Sequence, residues 1–399
     1  MTKLIKFELF KLHKSKKNKF LFGVLIVFLI GLIIFEKFQY NNFAKKEVEK
    51  YTSQEVLAIE ALRNKYILLA KEENEVQRAK AEFGEIERKS SQILKVLLKD
   101  EKNFDSRTFL RYKIIKYENY IRAYEEGLID DLFLRIINAD ISKLKLESFE
   151  LKNFEESEMD FIANPYTVNG LRALDLLFRD KNPIILLGIL ALMVLDIFSS
   201  EIDEGSYKTI YTQPYSRQYI FISKIISSSI FVILTYIIVT IIFFIIVSFI
   251  YGIGDINYPV SIVSNNQLFS FFSKHNSLNE FRIISMGWNL LLKYLSFIPF
   301  LICTVIIGIA IVVILNSYID GLSIIFVIGM IDYSFNILIY GDAKIWSYLP
   351  SSYLKIGSIF SGANRVSLVN GILIFLIISI LFLIISKNKI VNRDLSGGV

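Results

Sequence analysis

The chain has 399 residues, 53% of them hydrophobic, a formal net charge of +6, two histidines and one cysteine. Residues 37–182 hold 26 Lys+Arg and 27 Asp+Glu, which leaves 31 charges for the remaining 253 residues. That split excludes one soluble core and describes a membrane protein with a charged insert. The single Cys303, inside an apolar run, excludes a secreted disulfide scaffold.

The first 19 residues carry seven lysines against one acid, Glu8. Ile5, Leu9 and Leu12 fall on one face at helical spacing, so residues 1–19 are expected to form a helix lying on the inner leaflet. Phe35-Glu36-Lys37-Phe38 follows the first apolar run directly, without a small-residue cleavage site, so the run reads as a retained span and not a signal peptide. A membrane helix needs about 20 apolar residues. By that ruler the spans are 20–36, 183–199, 219–254, 290–316, 320–341 and 366–386. With six spans both termini share one side. Both are basic, with Lys387, Lys389 and Arg393 in the tail 387–399, so both are expected in the cytoplasm. The insert 37–182 and the loops 255–289 and 342–365 then lie outside.

The insert reads as helical. Ile59, Leu62, Tyr66 and Leu69, continued with a slip by Val76, Ala79, Phe83, Ile86 and Ile93, form one apolar stripe. Leu110, Ile114, Tyr117, Ile121, Tyr124 and Leu128 form a second, with Lys99–Asn103 as the turn between them. This predicts two long helices folded back as an antiparallel, coiled-coil-like hairpin. A third helical stretch runs from about Ser142 to a break at Asn164-Pro165-Tyr166. The insert has no histidine or cysteine, and Glu155, Glu156, Glu158 and Asp160 read as a solvated face. Its charge is near balance, which argues against a nucleic-acid grip.

No P-loop, H-E-x-x-H or G-x-S-x-G motif occurs, and His13 and His275 lie far apart in sequence. No catalytic, metal or nucleotide site is therefore expected on this chain. The loop 200–218 is the informative segment. Glu201, Asp203 and Glu204 precede Gly205, where the chain can turn sharply. Ser206 to Tyr211 can form a short helix, Pro214 stops it, and Ser216 can cap the helix that leads into the third span. In the fifth span Asp332 and Asn336 lie one turn apart; a charge at mid-bilayer costs roughly 2.5–3.5 kcal/mol on insertion scales, so Asp332 is expected to face a bundle interior or a wet path. It would either line the route or pair across a dimer, or serve as structural glue, protonated or bonded to Ser323, Ser334 or Tyr333. Asp196 and Asp320 sit at inner helix ends, and Pro299 is expected to kink the fourth span.

The run Glu201, Gly205-Ser206, Pro214-Tyr215-Ser216-Arg217 and Lys224 resembles the type-2 ABC transporter permeases. Ser206 stands where the family usually has threonine, keeping the hydroxyl. The basic N-terminal helix, the large insert after the first span, the basic tail, and Leu349-Pro350-Ser351 through Ile359, similar to the family's outer re-entrant helices, fit the same pattern. Among branches, the sodium-efflux and peptide- or bacteriocin-efflux permeases are the most similar in architecture. The resemblance implies an all-α, six-span exporter permease with the extracellular insert between spans 1 and 2. It implies pairing with a second permease copy, identical or not, and with two copies of a separate P-loop ATPase. That ATPase, not this chain, would hold ATP and magnesium. Glu201, Gly205, Ser206, Tyr207, Pro214 and Ser216 would shape the ATPase-coupling loop, with Arg217 anchoring the third span. The rival expectations are a non-transporting scaffold of a secretion machinery, whose function would reside in the insert, and a mechanotransmission-type permease, a class that normally has four spans. The richness in Ile, Lys, Asn, Phe and Tyr points to an AT-rich bacterial genome.

Overall fold

The computed structural model describes residues 1–68, 74–100, 104–137, 139, 141–156, 161–203, 206, 209, 214–263, 281–315, 350–361 and 366–391. Among these, five helices are long and apolar enough to cross a membrane. The expected fifth span at 320–341, with Asp320, Asp332 and Asn336, lies outside the described residues.

The chain opens with α1 (Thr2–Lys14) and α2 (Lys16–Leu68), separated by Ser15 in an extended conformation. Ser15 Oγ accepts from the Asn18 amide, as an N-cap does, and the Asn18 side chain donates back to Leu12 O at 2.8 Å. The sequence places the end of the first span near residue 36, yet α2 continues without a break for 53 residues. The reason is local: beyond Glu36 the chain has no proline or glycine until Gly84, and Lys, Glu, Gln and Ala are good helix formers. The amphipathic expectation for α1 needs correcting in its direction. Leu12 is buried in the main core with α1 packed on the third-span helix, while Phe7 and Phe10 face outward.

The insert is a stack of antiparallel helices: α2, α3 (Asn74–Lys99), α4 (Ser106–Glu125), α5 (Asp131–Ile136) and α6 (Ile141–Glu156). The first predicted stripe is thus split between α2 and α3, and the slip between Leu69 and Val76 falls on residues outside the described set. Residues 69–73, and the side chains of Ile59, Leu62, Tyr66 and Val76, are outside the described set. Register between α3 and α4 is set by polar pairs: Lys116 with Glu87 at 2.7 Å, Asn119 with Phe83 O at 3.0 Å, and Arg122 with Glu82 at 3.1 Å. Between α4 and α6, Lys152–Glu118 at 2.5 Å and Lys145–Glu125 at 2.6 Å do the same. The buried face of α3 is Lys80, Phe83, Glu87, Ser90, Ser91, Leu94 and Leu98, so Ile86 and Ile93 from the predicted stripe lie at its margins. Polar residues on the inward face displaced the apolar period. Glu155 and Glu156 are solvent-exposed as expected. At the Asn164-Pro165-Tyr166 break, Asn164 Oδ1 accepts from the Tyr166 amide at 3.0 Å.

A two-stranded antiparallel hairpin, β1 (Pro259–Val263) and β2 (Phe281–Ser285), stands in the predicted 255–289 loop, pairing Ser261 with Ile283. Alternation in Pro-Val-Ser-Ile-Val is too short to separate from an apolar loop. It docks on the insert: the Ser261 amide donates to Glu150 Oε1 at 3.4 Å, and Tyr258 packs on Phe154 with ring centres 4.9 Å apart. Burial pushes the Glu150 carboxyl above its ordinary 4.5, against the lowering effect of the Ser261 bond. A raised folded pKa favours the fold below the unfolded value and loses that contribution as pH rises through the folded one. Glu150→Gln is therefore expected to raise the melting temperature at pH 7, with the gain shrinking toward pH 4; thermal scans at both pH values check it.

The membrane region begins with α7 (Gly170–Leu176), α8 (Asn182–Leu192), a short 3-10 turn at Leu195–Ile197, and α9 (Ser199–Asp203). The second span is thus broken near its α9 end. Then come α10 (Arg217–Tyr251), α11 (Met286–Leu315, running on through Pro299), the short α12 (Pro350–Leu354) and α13 (Ile356–Phe360), and α14 (Leu368–Val391). Helix α8 is buried almost all round, as its uniformly apolar sequence demands. Helix α10 buries one seam, Phe221, Ile225, Val232, Tyr236, Val239, Phe243 and Val247, and leaves Ile241, Ile245 and Phe249 exposed. Two of its hydroxyls bond back to the helix, Ser229 donating to Ile225 O at 2.9 Å and Thr240 to Tyr236 O at 2.9 Å, which satisfies them away from water. Charges at the insert end are paired, Lys293 with Asp175 at 2.5 Å and Arg179 with Glu36 at 2.6 Å. At Gly357 a Cβ would come within 2.3 Å of Phe178 O, so only glycine lets α13 approach the α7–α8 turn.

Candidate functional site

The loop singled out by the sequence lies at the end of the spans opposite the insert. Four charged side chains meet there. Glu201, in the short α9, is buried and accepts from Lys11 of α1 at 2.8 Å. Its same Oε1 accepts from Lys224 of α10. Lys224 is fully buried, reaches Glu8 of α1 at 2.9 Å, and lies 5.4 Å from the Phe198 ring centre. Two cations and two carboxylates thus alternate as Lys11–Glu201–Lys224–Glu8, with no net charge. A single buried ion would cost several kcal/mol in lost hydration, and the alternation offsets that cost. Three elements distant in sequence, α1, α9 and α10, are held by one group of side chains.

A second contact supports the break in the second span. Lys17, at the start of α2, pairs with Asp196 at 2.5 Å and donates to Leu192 O at 2.9 Å. Leu192 is the last residue of α8, so its carbonyl has no helical donor and a lysine suits both the orphan acceptor and the negative helix end.

The other predicted residues fall as follows. Ser206 donates to Glu201 O at 3.4 Å. Pro214 and Ser216 are exposed, and Ser216 Oγ accepts from the Tyr219 amide at 3.4 Å as the N-cap of α10. Arg217 donates to Val391 O at 3.0 Å and so ties the start of α10 to the end of α14. Gly205 and Tyr207 lie outside the described residues, as do Asp332 and Asn336. Removing the cap by Ser216→Ala is expected to cost about 1 kcal/mol, read as a lowered melting temperature with an unchanged helical content.

Sequence reasoning included Lys224 only as part of a motif and missed Glu8, Lys11 and Lys17 as site residues. One signal was available: Glu8 is the lone acid among seven lysines in the first 19 residues. Among the described residues no group of three or more His, Cys, Asp and Glu side chains is placed to hold a metal ion.

The site is therefore a neutral group of buried charges that joins the ends of three helices. A family model described as ABC-2 family transporter protein matches residues 11–326, which takes in the last turn of α1, the whole insert, the 200–218 loop, α10 and α11. No curated protein and no solved structure matches the chain. With most of its length within that match and several apolar helices long enough to span a bilayer, the chain belongs to the ABC-2 family of transporter proteins, as a multi-pass membrane subunit.

Proposed function

We propose that this chain is the permease of an ATP-driven exporter in a bacterial plasma membrane, working with two copies of a separate P-loop ATPase and a second permease copy. The observation that carries the reading is the Lys11–Glu201–Lys224–Glu8 group. It joins the loop that would rest on an ATPase to the base of the first and third spans. A displacement of α9 then cannot occur without moving α1 and α10, because separating the pairs would strand buried charge. On this reading Gly205, Ser206, Tyr207 and Pro214 are the residues that an ATPase cleft would hold. Both termini and this loop lie in the cytoplasm on this reading, the insert outside. The cargo is a peptide, a bacteriocin or a lipid-like molecule, consistent with the apolar bundle. ATP and magnesium stay on the partner.

The test is co-purification with a P-loop ATPase and ATP-dependent export in vesicles. Gly205→Val and Tyr207→Asp are expected to abolish ATPase stimulation while leaving the spans folded. A permease that purifies without any ATPase, or export unaffected by both substitutions, would overturn the reading.

One observation favours a second reading, in which ATP-driven motion is passed to the insert without cargo crossing the bilayer. Helix α2 is continuous over 53 residues, about 80 Å at the α-helical rise. It is paired near one membrane end through Lys17–Asp196 and near the other through Glu36–Arg179. Distances between spin labels on the insert that change with the ATP cycle, in a protein that transports nothing, would favour it.

A further inference from the structure

We propose that the outward face of α1 is a binding site for anionic lipid headgroups in the leaflet beside it. Lys3, Phe7, Phe10 and Lys14 follow one another at i, i+4, i+7 and i+11 and lie on one face, flanked by Lys6 and His13. All six are exposed, Phe7 and Phe10 at 60% each. Two phenylalanines exposed to this degree are a poor surface to leave in water. The opposite face is already occupied: Glu8 and Leu12 are buried, and Glu8 is engaged by Lys224.

Two further observations decide what covers this face. The first is continuity. The exposed apolar surface resumes in α2 at Phe20, Val27, Ile30 and Ile34, the stripe that a bilayer covers on a spanning helix. The second is charge. Lys3, Lys6, Lys14, Lys16 and Lys19 are exposed, and none makes an ion pair among the described residues. The one acid in this stretch is turned inward and neutralised. Aromatic rings with lysine stems beside them suit the headgroup boundary, where rings enter the acyl region and ammonium groups stay at the phosphates. Four to eight basic residues next to a spanning helix are the pattern that recognises anionic lipid. Lys14 lies 5.5 Å from the Phe10 ring centre, so charge and ring act at one spot. Because α1 also carries Glu8 and Lys11, lipid held on one face steadies the ion group on the other. The inference uses the membrane orientation proposed above but involves no ATPase, so its failure is separate from failure of the coupling reading.

The test uses the full chain in nanodiscs, with Phe10→Trp as the only tryptophan after Trp288→Phe and Trp346→Phe. Dibrominated phosphatidylglycerol is expected to quench Trp emission about threefold more than dibrominated phosphatidylcholine at equal mole fraction, given an electrostatic preference for the anionic headgroup. The combined Lys3→Gln, Lys6→Gln and Lys14→Gln variant is expected to quench equally in both lipids, and native mass spectrometry of it to show fewer retained phosphatidylglycerol molecules. Equal quenching of the starting protein by the two lipids would overturn headgroup recognition. No quenching by either, with acrylamide access lost only on adding an ATPase, would overturn lipid contact and assign the face to a protein partner.

Discussion

Lys224→Met is expected to destabilise the protein by about 3–5 kcal/mol, the cost of removing one partner from a buried charge group. Lys224 is fully buried between Glu8 and Glu201, so its loss leaves two carboxylates facing one another with Lys11 alone to balance them. Glu8→Gln added to Lys224→Met removes the unbalanced charge and is expected to recover most of the loss. Melting of the detergent-solubilised chain measures both. If the single variant melts within about 0.5 kcal/mol of the parent, as an exposed pair would, the group contributes no buried electrostatic tie. A recovered double variant that still fails to stimulate an ATPase would separate the charge group's stabilising role from its role in coupling.

The insert contains a similar arrangement and a second large effect. Lys116 and Glu87 are each 1% exposed and pair at 2.7 Å, with Ser91 Oγ 2.7 Å from the same ammonium and the Tyr51 ring centre 4.6 Å from it. Lys116→Met alone is expected to cost roughly 3–5 kcal/mol, read as lost hydrogen-exchange protection in α3 and α4 of the full-length protein. Lys116→Met with Glu87→Leu is expected to be nearly neutral, since an apolar pair of similar volume needs no hydration replaced. Burial lowers the pKa of Lys116, and of nearby Lys113, below the usual 10.5, only partly opposed by Glu87 and Glu147. Between the lowered folded value and the unfolded one the unfolded chain binds more protons, so these lysines make the insert more stable as pH rises through that window. Tyr117 and Tyr120, pushed well above 10.0 by burial, act oppositely once the unfolded tyrosines ionise. Protection of α3 and α4 is therefore expected to rise with pH in the alkaline range and turn over near pH 10.

How far the sequence was legible follows from which forces act locally. The long apolar helices Arg217–Tyr251, Met286–Leu315 and Leu368–Val391 were legible as candidate spans because a bilayer demands about 20 apolar residues in a row, a one-dimensional requirement. The Ser216 cap and the Asn164-Pro165 break were legible for the same reason, since both are satisfied within a few residues. The stripe in α3 was half misread. Glu87, Ser90 and Ser91 face inward; Lys116, 29 residues after Glu87, satisfies Glu87 and Ser91, while Ser90 bonds back to Ile86 O. The β-hairpin was missed because its two strands are joined through a 17-residue segment and rest on Glu150 and Phe154 of the insert.

The 200–218 loop carried the family reading because its glycine, proline and capping serine are local signals. Glu201's partners are not local. Lys11 stands 190 residues away, and Glu8 and Lys224 are buried only because α1 folds back onto α10. By itself, the sequence determined the class of molecule, the helical character of the insert and the place of the Ser216 cap, all properties of contiguous residues. The tertiary structure alone decided that α1 turns its leucine and glutamate inward and its phenylalanines outward. It also decided that four scattered charges close into one neutral group, since the desolvation that forces charges to pair arises only once packing has removed the water.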